Sequence, residues 1–509
     1  MQSGHPARSS RAVVKGAAWA AIDNWVQQGV GLISFVVIGS LVGPRLYGVM
    51  ALGMTYHLVL ASVLRDTFGE ALIQRQTLER AHYDTVFWTL VGLGTALMLL
   101  SFALGAPVAG LFREPDLRPV IWALGLTFPL LGAGNFYRSL LRREFNFKAL
   151  ALRSIFAYGL SAVIAITLAV KGFGIWSLVI YQLLLHALDL LALAVQSRWR
   201  PQLRFSRRHY GELADFSYKT MGNYGLANIG TQIDRFLLGY FIGAGPLGLY
   251  SMARRIVEGI DQTAMGVINA IALPTFARVQ HDHAELRRML YGMTHFSMII
   301  AGPVYAGLGL VAPKLIAVVL PDEWRPTAPL LSILCYSGVF FPAVIFLSSC
   351  QRAIGQAGLL LALALTSMTL RVVFCLVAAF AGYGVNGIVL AIAVSTLAMV
   401  PIRIYFARCA IGVTVPAYLA SLASPLAATL IMLAIGYGLE DLLSPHWPDV
   451  FVLGAMVATG VVSYVGALCL ISPGSISQIR AVLKRKPAGP AAIDGGSSGV
   501  MMPNQGLED

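Results

Sequence analysis

Long apolar runs separated by short polar breaks fill this chain, and nearly every run reaches the roughly 20 residues that cross a bilayer as a helix. Fourteen spans are expected. The first six cover 16–42, 47–68, 84–110, 118–141, 149–170 and 174–196. The next six cover 214–242, 247–272, 290–319, 327–350, 358–380 and 385–409, and an extra pair follows at 415–437 and 448–472. The pattern also repeats. A shift of 200 positions lays Gly39, Gly43 and Gly48 on Gly239, Gly243 and Gly248. Further on, Pro107 to Arg118-Pro119 matches Pro313 to Arg325-Pro326, and Gly172-Phe-Gly-Ile-Trp-Ser-Leu-Val179 matches Gly382-Tyr-Gly-Val-Asn-Gly-Ile-Val389. Each unit holds six spans, an even number, so both copies enter from one side as parallel repeats about an axis along the membrane normal.

The fold expected from this pattern is an all-α polytopic membrane protein of about 14 helices, with two six-helix pseudo-symmetric lobes facing a central cavity. The lobes fall at 16–197 and 214–410, joined by a cytoplasmic linker at 198–213. An N-tail occupies 1–15, the extra helix pair 411–473, and a cytoplasmic tail rich in Gly, Pro, Ala and Ser, expected to be largely disordered, 474–509.

Composition excludes a soluble globular chain, because only 12% of residues are charged where about 25% is usual, and mean hydropathy is +0.72. The formal charge of +13 has a topological cause. With the N-terminus inside, 29 of the 37 Lys and Arg fall on the cytoplasmic side and six on the outside, the bias that sets membrane orientation. Both termini are therefore expected in the cytoplasm. The same positive face attracts anionic membrane lipids, and no nucleic-acid partner is expected. Cys335, Cys350, Cys375, Cys409 and Cys469 lie singly in apolar runs, without the spacing of a disulfide framework or a metal site.

Ionisable residues inside spans are costly and mark functional sites by default. Helical spacing gathers them into stripes. Asp23, Gln27 and Ser34 share a face of span 1, and the repeat places Asn223 and Asp234 on the matching face of span 7. Gln182, His186 and Asp189 follow i, i+4, i+7 spacing in span 6, as do Arg254, Glu258 and Asp261 in span 8. His57 stands in span 2, Arg371 is alone in the middle of span 11, and Arg255 and Arg235 complete the intramembrane cations. The expected anion site is Arg371, Arg254, Arg255 and Arg235, with the acids, amides and histidines as a polar or ion-coupling counterface. Structural roles stand beside these. Arg254 with Glu258, and Asp234 with its neighbour Arg235, fit ion pairs, while Arg65, Asp66, Glu70, Arg138 and Arg142 lie at inner helix ends, where side chains snorkel to the interface. Neither a phosphate-cradling GxxxxGK[ST] loop nor an HExxH motif or nucleophile elbow occurs, so no ATP hydrolysis, cofactor or catalytic metal is expected, and the chain reads as a non-enzyme.

Ala71-Leu-Ile-Gln-Arg75 with Thr85-Val-Phe-Trp88, Leu141-Arg-Arg-Glu-Phe-Asn-Phe147, Gly174-Ile-Trp-Ser-Leu-Val179 and Asp234-Arg-Phe-Leu-Leu-Gly239 through Leu247-Gly-Leu-Tyr250 resemble the bacterial polysaccharide-repeat-unit flippases. These are the Wzx-like, colanic-acid-exporter branch of the multidrug/oligosaccharidyl-lipid/polysaccharide (MOP) exporter superfamily, and the likeness covers roughly residues 15–410. It implies a MATE-like V of two lobes in the bacterial inner membrane. The implied cargo is an undecaprenyl-diphosphate-linked glycan, and the implied partners are a polysaccharide polymerase and export machinery. A drug/cation antiporter of the same superfamily and an integral-membrane polysaccharide polymerase or ligase are the other readings. Intramembrane arginines weigh against the first, and the lack of a long outer loop against the second.

Overall fold

The computed structural model describes residues 10–64, 68, 69, 72, 75, 78–144, 146–262, 266–444 and 446–473; within its helices the side chains of 10–15, 17, 215, 216, 219, 220, 222–228, 267–271 and 357 are not described. Arg65, Asp66 and Glu70, and the Asn223 side chain, lie outside the described residues, as does the tail from 474.

Helices alone build the described residues. The first half comprises α1 (Ser10–Val42), α2 (Pro44–Ala61), α3 (Arg80–Phe112), α4 (Leu117–Gly125), α5 (Thr127–Arg143), α6 (Phe147–Val170) and α7 (Ile175–Gln196). The second comprises α8 (Arg207–Ile242), α9 (Ala244–Ile260), α10 (Gly266–Arg278), α11 (His283–Val319), α12 (Thr327–Gly338), α13 (Phe341–Ala353), α14 (Ala357–Phe380) and α15 (Gly384–Ile411). Two more, α16 (Val415–Leu443) and α17 (Asp449–Ile471), pack on each other and on α11. There Tyr464 donates to the Ile299 carbonyl at 2.9 Å and Lys314 pairs with Asp449 at 2.8 Å.

Local chemistry sets the breaks. Gly43 separates α1 from α2 at φ 87°, and Gly243 separates α8 from α9 at φ 93°. A side chain is strained in this region of backbone space, so both copies of the repeat turn on glycine. Pro44 then opens α2, where its missing N–H costs nothing. Asp282 caps α11 by accepting from the backbone N–H groups of Ala284 and Glu285, and the Glu285 bond above all holds its carboxyl below the usual carboxylate range.

Ten helices among the described residues are long and apolar enough to cross a membrane, eleven if α12 and α13, bent by 43°, form one span. The other three expected spans, 47–68, 214–242 and 247–272, each take in residues whose backbone or side chains are not described. Their helices carry the polar residues and sit at the centre: α2 packs on α8 and α9, and α1 on α9, so polar faces meet protein rather than lipid. Within span 247–272 the described helices are α9, to Ile260, and α10, from Gly266. The helical part of the second half starts earlier than expected, at Arg207.

At the α8 N-terminal end α3 and α8 are clasped. Trp88 donates to the Gln202 carbonyl at 2.7 Å, and the Gln202 N–H donates to Asp84 at 3.1 Å. Arg75 pairs with Glu212 at 2.6 Å. That bond first, then one from His82, pulls the Glu212 carboxyl down to about 2.

Candidate functional site

A cavity of about 380 Å³ lies between α1, α2, α5, α6 and α7 of the first half, with Arg255 of α9 reaching in from the second. Its charged floor is a network across four helices. Arg153 on α6 is 2% exposed and joins Asp189 at 2.7 Å to Asp23 at 3.1 Å. Arg138 on α5 reaches Asp189 from the other side at 3.0 Å. Ser154 donates to Asp23, and Gln27 donates to the same carboxylate at 2.8 Å. Two acids and two guanidiniums are held together, so the floor carries no net charge. Above it His57 stacks on Phe128 and lies 6.0 Å from the His186 ring.

A second cavity, about 190 Å³, lies within the second half and is lined by Asp234, Arg254, Asp261, Arg371 and Arg403. Arg371 pairs with Asp234 at 3.2 Å, and Tyr250 donates to Asp234 at 3.1 Å. Glu258 takes Arg235 at 2.9 Å and Arg254 at 3.3 Å. Asp261 accepts from Tyr305, and Arg403 donates to Ser348.

Between the halves runs a seam with a cavity of about 100 Å³, lined by Tyr47, Met50 and Met54 of α2 and by Arg235, Arg255 and Glu258. Arg255 lines both this seam and the first-half cavity. It lies 5.0 Å from the Phe35 ring centre, and its Nε is buried without a partner. No carboxylate among the described residues comes within salt-bridge distance of it. At the end of the seam nearest Gly43 and Gly243, α2 and α9 touch backbone to backbone. A Cβ on Gly48 would stand 1.7 Å from the Ala244 oxygen, and one on Gly248 1.9 Å from the Pro44 oxygen.

Several sequence expectations are corrected here. Asp234 and Arg235 are not partners, because neighbours on a helix point about 100° apart; Asp234 binds Arg371 and Arg235 binds Glu258. Arg371 is thus not alone. Arg138 turns inward to Asp189 instead of snorkelling, whereas Arg142 is exposed. The i,i+4 pairing of Arg254 with Glu258 is present. Gln182 and His186 face the first cavity with His57. Two residues passed over in the sequence matter: Arg153 and Arg403, both counted as inner-loop charges. Spacing gave no signal for Arg153: Ser154, Tyr158 and Ser161 form one polar face of α6, and Arg153 points about 100° from Ser154.

A family described as polysaccharide biosynthesis protein matches residues 37–329, more than half of the chain. The chain belongs to the polysaccharide biosynthesis protein family. This family match takes in both glycine turns, Arg153 and Arg255 and stops before Arg371. Among relatives, the succinoglycan biosynthesis transport protein ExoT of Rhizobium meliloti is 28% identical, over 70% of this chain and 72% of its own. The lipopolysaccharide biosynthesis protein WzxC of Escherichia coli is 26% identical, over 64% and 67%. In three dimensions the chain resembles the lipid II flippase MurJ in an inward closed conformation, with TM-score 0.72 and 14% identity over 91% of this chain and 99% of that one. An inward-facing multidrug resistance MATE family transporter of the MOP superfamily gives 0.65 and 16%, over 77% and 98%. This member of the polysaccharide biosynthesis protein family therefore has the MOP fold expected from its sequence, and is a multi-pass membrane protein.

Proposed function

We propose that the protein is a flippase that carries an undecaprenyl-diphosphate-linked oligosaccharide from the inner to the outer leaflet of the bacterial cytoplasmic membrane, for exopolysaccharide, capsule or O-antigen synthesis. It makes no covalent change to its cargo, and both termini face the cytoplasm. A diphosphate sugar head does not cross hydrocarbon unaided, because buried charge and unpaired hydroxyls are costly. The observation that carries this reading is Arg255, a guanidinium with no carboxylate partner among the described residues, held where the inter-half seam opens into the first-half cavity. Guanidinium binds phosphate oxygens two at a time, and the Phe35 ring beside it fixes its position. Arg254, Arg235 and Arg371 hold acids and supply field rather than first contact.

An apolar groove of about 560 Å³ between α11 and α16–α17 begins at Ile260, one residue from Asp261 of the second cavity. The polyprenyl chain runs there while the head occupies the interior. Transport is the rocking of one half against the other, and the contact of Gly48 with Gly248 seals the outer side in the present state. Support comes from the MOP fold and from relatives named for polysaccharide transport. Reconstitution tests it. In proteoliposomes loaded with undecaprenyl-diphosphate-linked oligosaccharide, the protein should make inner-leaflet glycan reachable by an impermeant lectin. Equal lectin access with and without protein overturns the reading.

A further inference from the structure

We propose that the first-half cavity is a glycan-recognition subsite, separate from the point at which Arg255 takes the diphosphate. This rests on the flippase reading and adds which surface meets the sugar. Gln182 is 5% exposed and its amide, facing the cavity, has no partner among the described residues. His57, 3% exposed, bonds Thr127 through Nε2 at 2.7 Å and leaves Nδ1 buried without a partner. A buried polar atom left without a partner, as His57 Nδ1 is, is expensive and points to a bound polar group. Gln28 adds a second amide on the wall, and Tyr158 and Tyr181 add aromatic faces.

Charge decides which ligand fits. The carboxylates at the floor of this cavity, Asp23 and Asp189, are neutralised by Arg153 and Arg138, so the cavity offers a cationic ligand nothing to bind. Apart from Arg255 at its mouth, its only cation is Arg138, already committed to Asp189, so it offers an anion no site of its own. What remains are groups that both donate and accept, the amides and the imidazoles of His57 and His186, set against aromatic rings. That is the complement of a neutral polyhydroxylated chain, and about 380 Å³ is the scale of a small-molecule site.

Binding to full-length protein in lipid nanodiscs tests this with two probes, undecaprenyl diphosphate and the lipid-linked repeat unit extracted from the cells that make it. Wild type should bind the glycosylated lipid more tightly. Gln182→Leu, which keeps volume and removes the amide, should weaken that probe about fivefold, the scale of one hydrogen bond, and leave undecaprenyl diphosphate unmoved. Gln28→Leu at the half-exposed wall repeats the test should Gln182→Leu fail to fold. If wild type prefers the glycosylated lipid and both folded variants keep the full preference, the subsite is overturned while the flippase reading stands. Equal wild-type binding of both lipids also overturns the subsite. Wild type that binds neither lipid removes the flippase reading, and the subsite with it.

Discussion

The two halves share a frame and differ in what they hold. Both break their first helix pair at a glycine with left-handed φ, Gly43 and Gly243, and both line a cavity with charged and polar groups from adjoining helices. In the first half two acids and two guanidiniums close on one another deep in the protein, leaving amides and rings to face the cavity. In the second, guanidiniums themselves line the cavity, each tied to an acid or a hydroxyl. The glycine turns of the two halves thus match, whereas the polar chemistry around them differs. Arg255, which has no acid partner among the described residues, belongs to the second half and reaches into the first.

The largest difference expected between the halves is in stability. Arg153→Leu leaves Asp23 and Asp189 without their central partner, and stripping one side of a buried pair costs about 3–5 kcal/mol. Arg371→Leu, whose side chain is 22% exposed, should cost clearly less. Thermal unfolding of both variants in detergent measures this, and equal losses would break the contrast.

Next comes the seam. Gly248→Ala places a methyl against the Pro44 oxygen, whereas Gly245→Ala meets open space. The first should cost about 1–3 kcal/mol of the closed contact. A cysteine at the buried Tyr47 position should then react faster with an impermeant reagent, and Gly245→Ala should leave its rate alone.

The smallest effect concerns the clasp of α3 and α8. The Glu212 carboxyl is held at about 2 against an ordinary 4.5, chiefly by Arg75. A depressed folded value contributes stability that is complete above 4.5 and lost as pH falls through about 2. Arg75→Gln should therefore move the acid-induced opening of the α8 start to higher pH. Hydrogen exchange against pH reads the shift, and an unmoved onset would show that Arg75 is not the cause.

Helix positions and glycine turns were legible because they are local: apolar run length and the Gly43 and Gly243 breaks lie within a few residues of what they determine. Partnerships were not, because they are long-range. Arg371 meets Asp234 across 137 positions and Arg153 meets Asp23 across 130, distances over which no spacing rule acts. Position misled as well. Arg153 follows the start of α6 at Phe147 by under two turns, so on sequence it counts as an interfacial charge, while the fold covers it with α1 and α7. The low apolarity of α8 and α9 carried information in the opposite sense, marking helices that sit at the centre.

Lectin-detected translocation in proteoliposomes, comparing Arg255→Gln and Arg255→Lys with wild type at equal folded amounts, tests the role of the unpaired guanidinium most directly. Removing Arg255 breaks no ion pair among the described residues, so the variants should fold, and Gln should slow translocation about tenfold or more, the scale of a charge-assisted bond. Lys should restore part of the rate. Wild-type translocation by folded Arg255→Gln would contradict the assignment of the diphosphate to this residue.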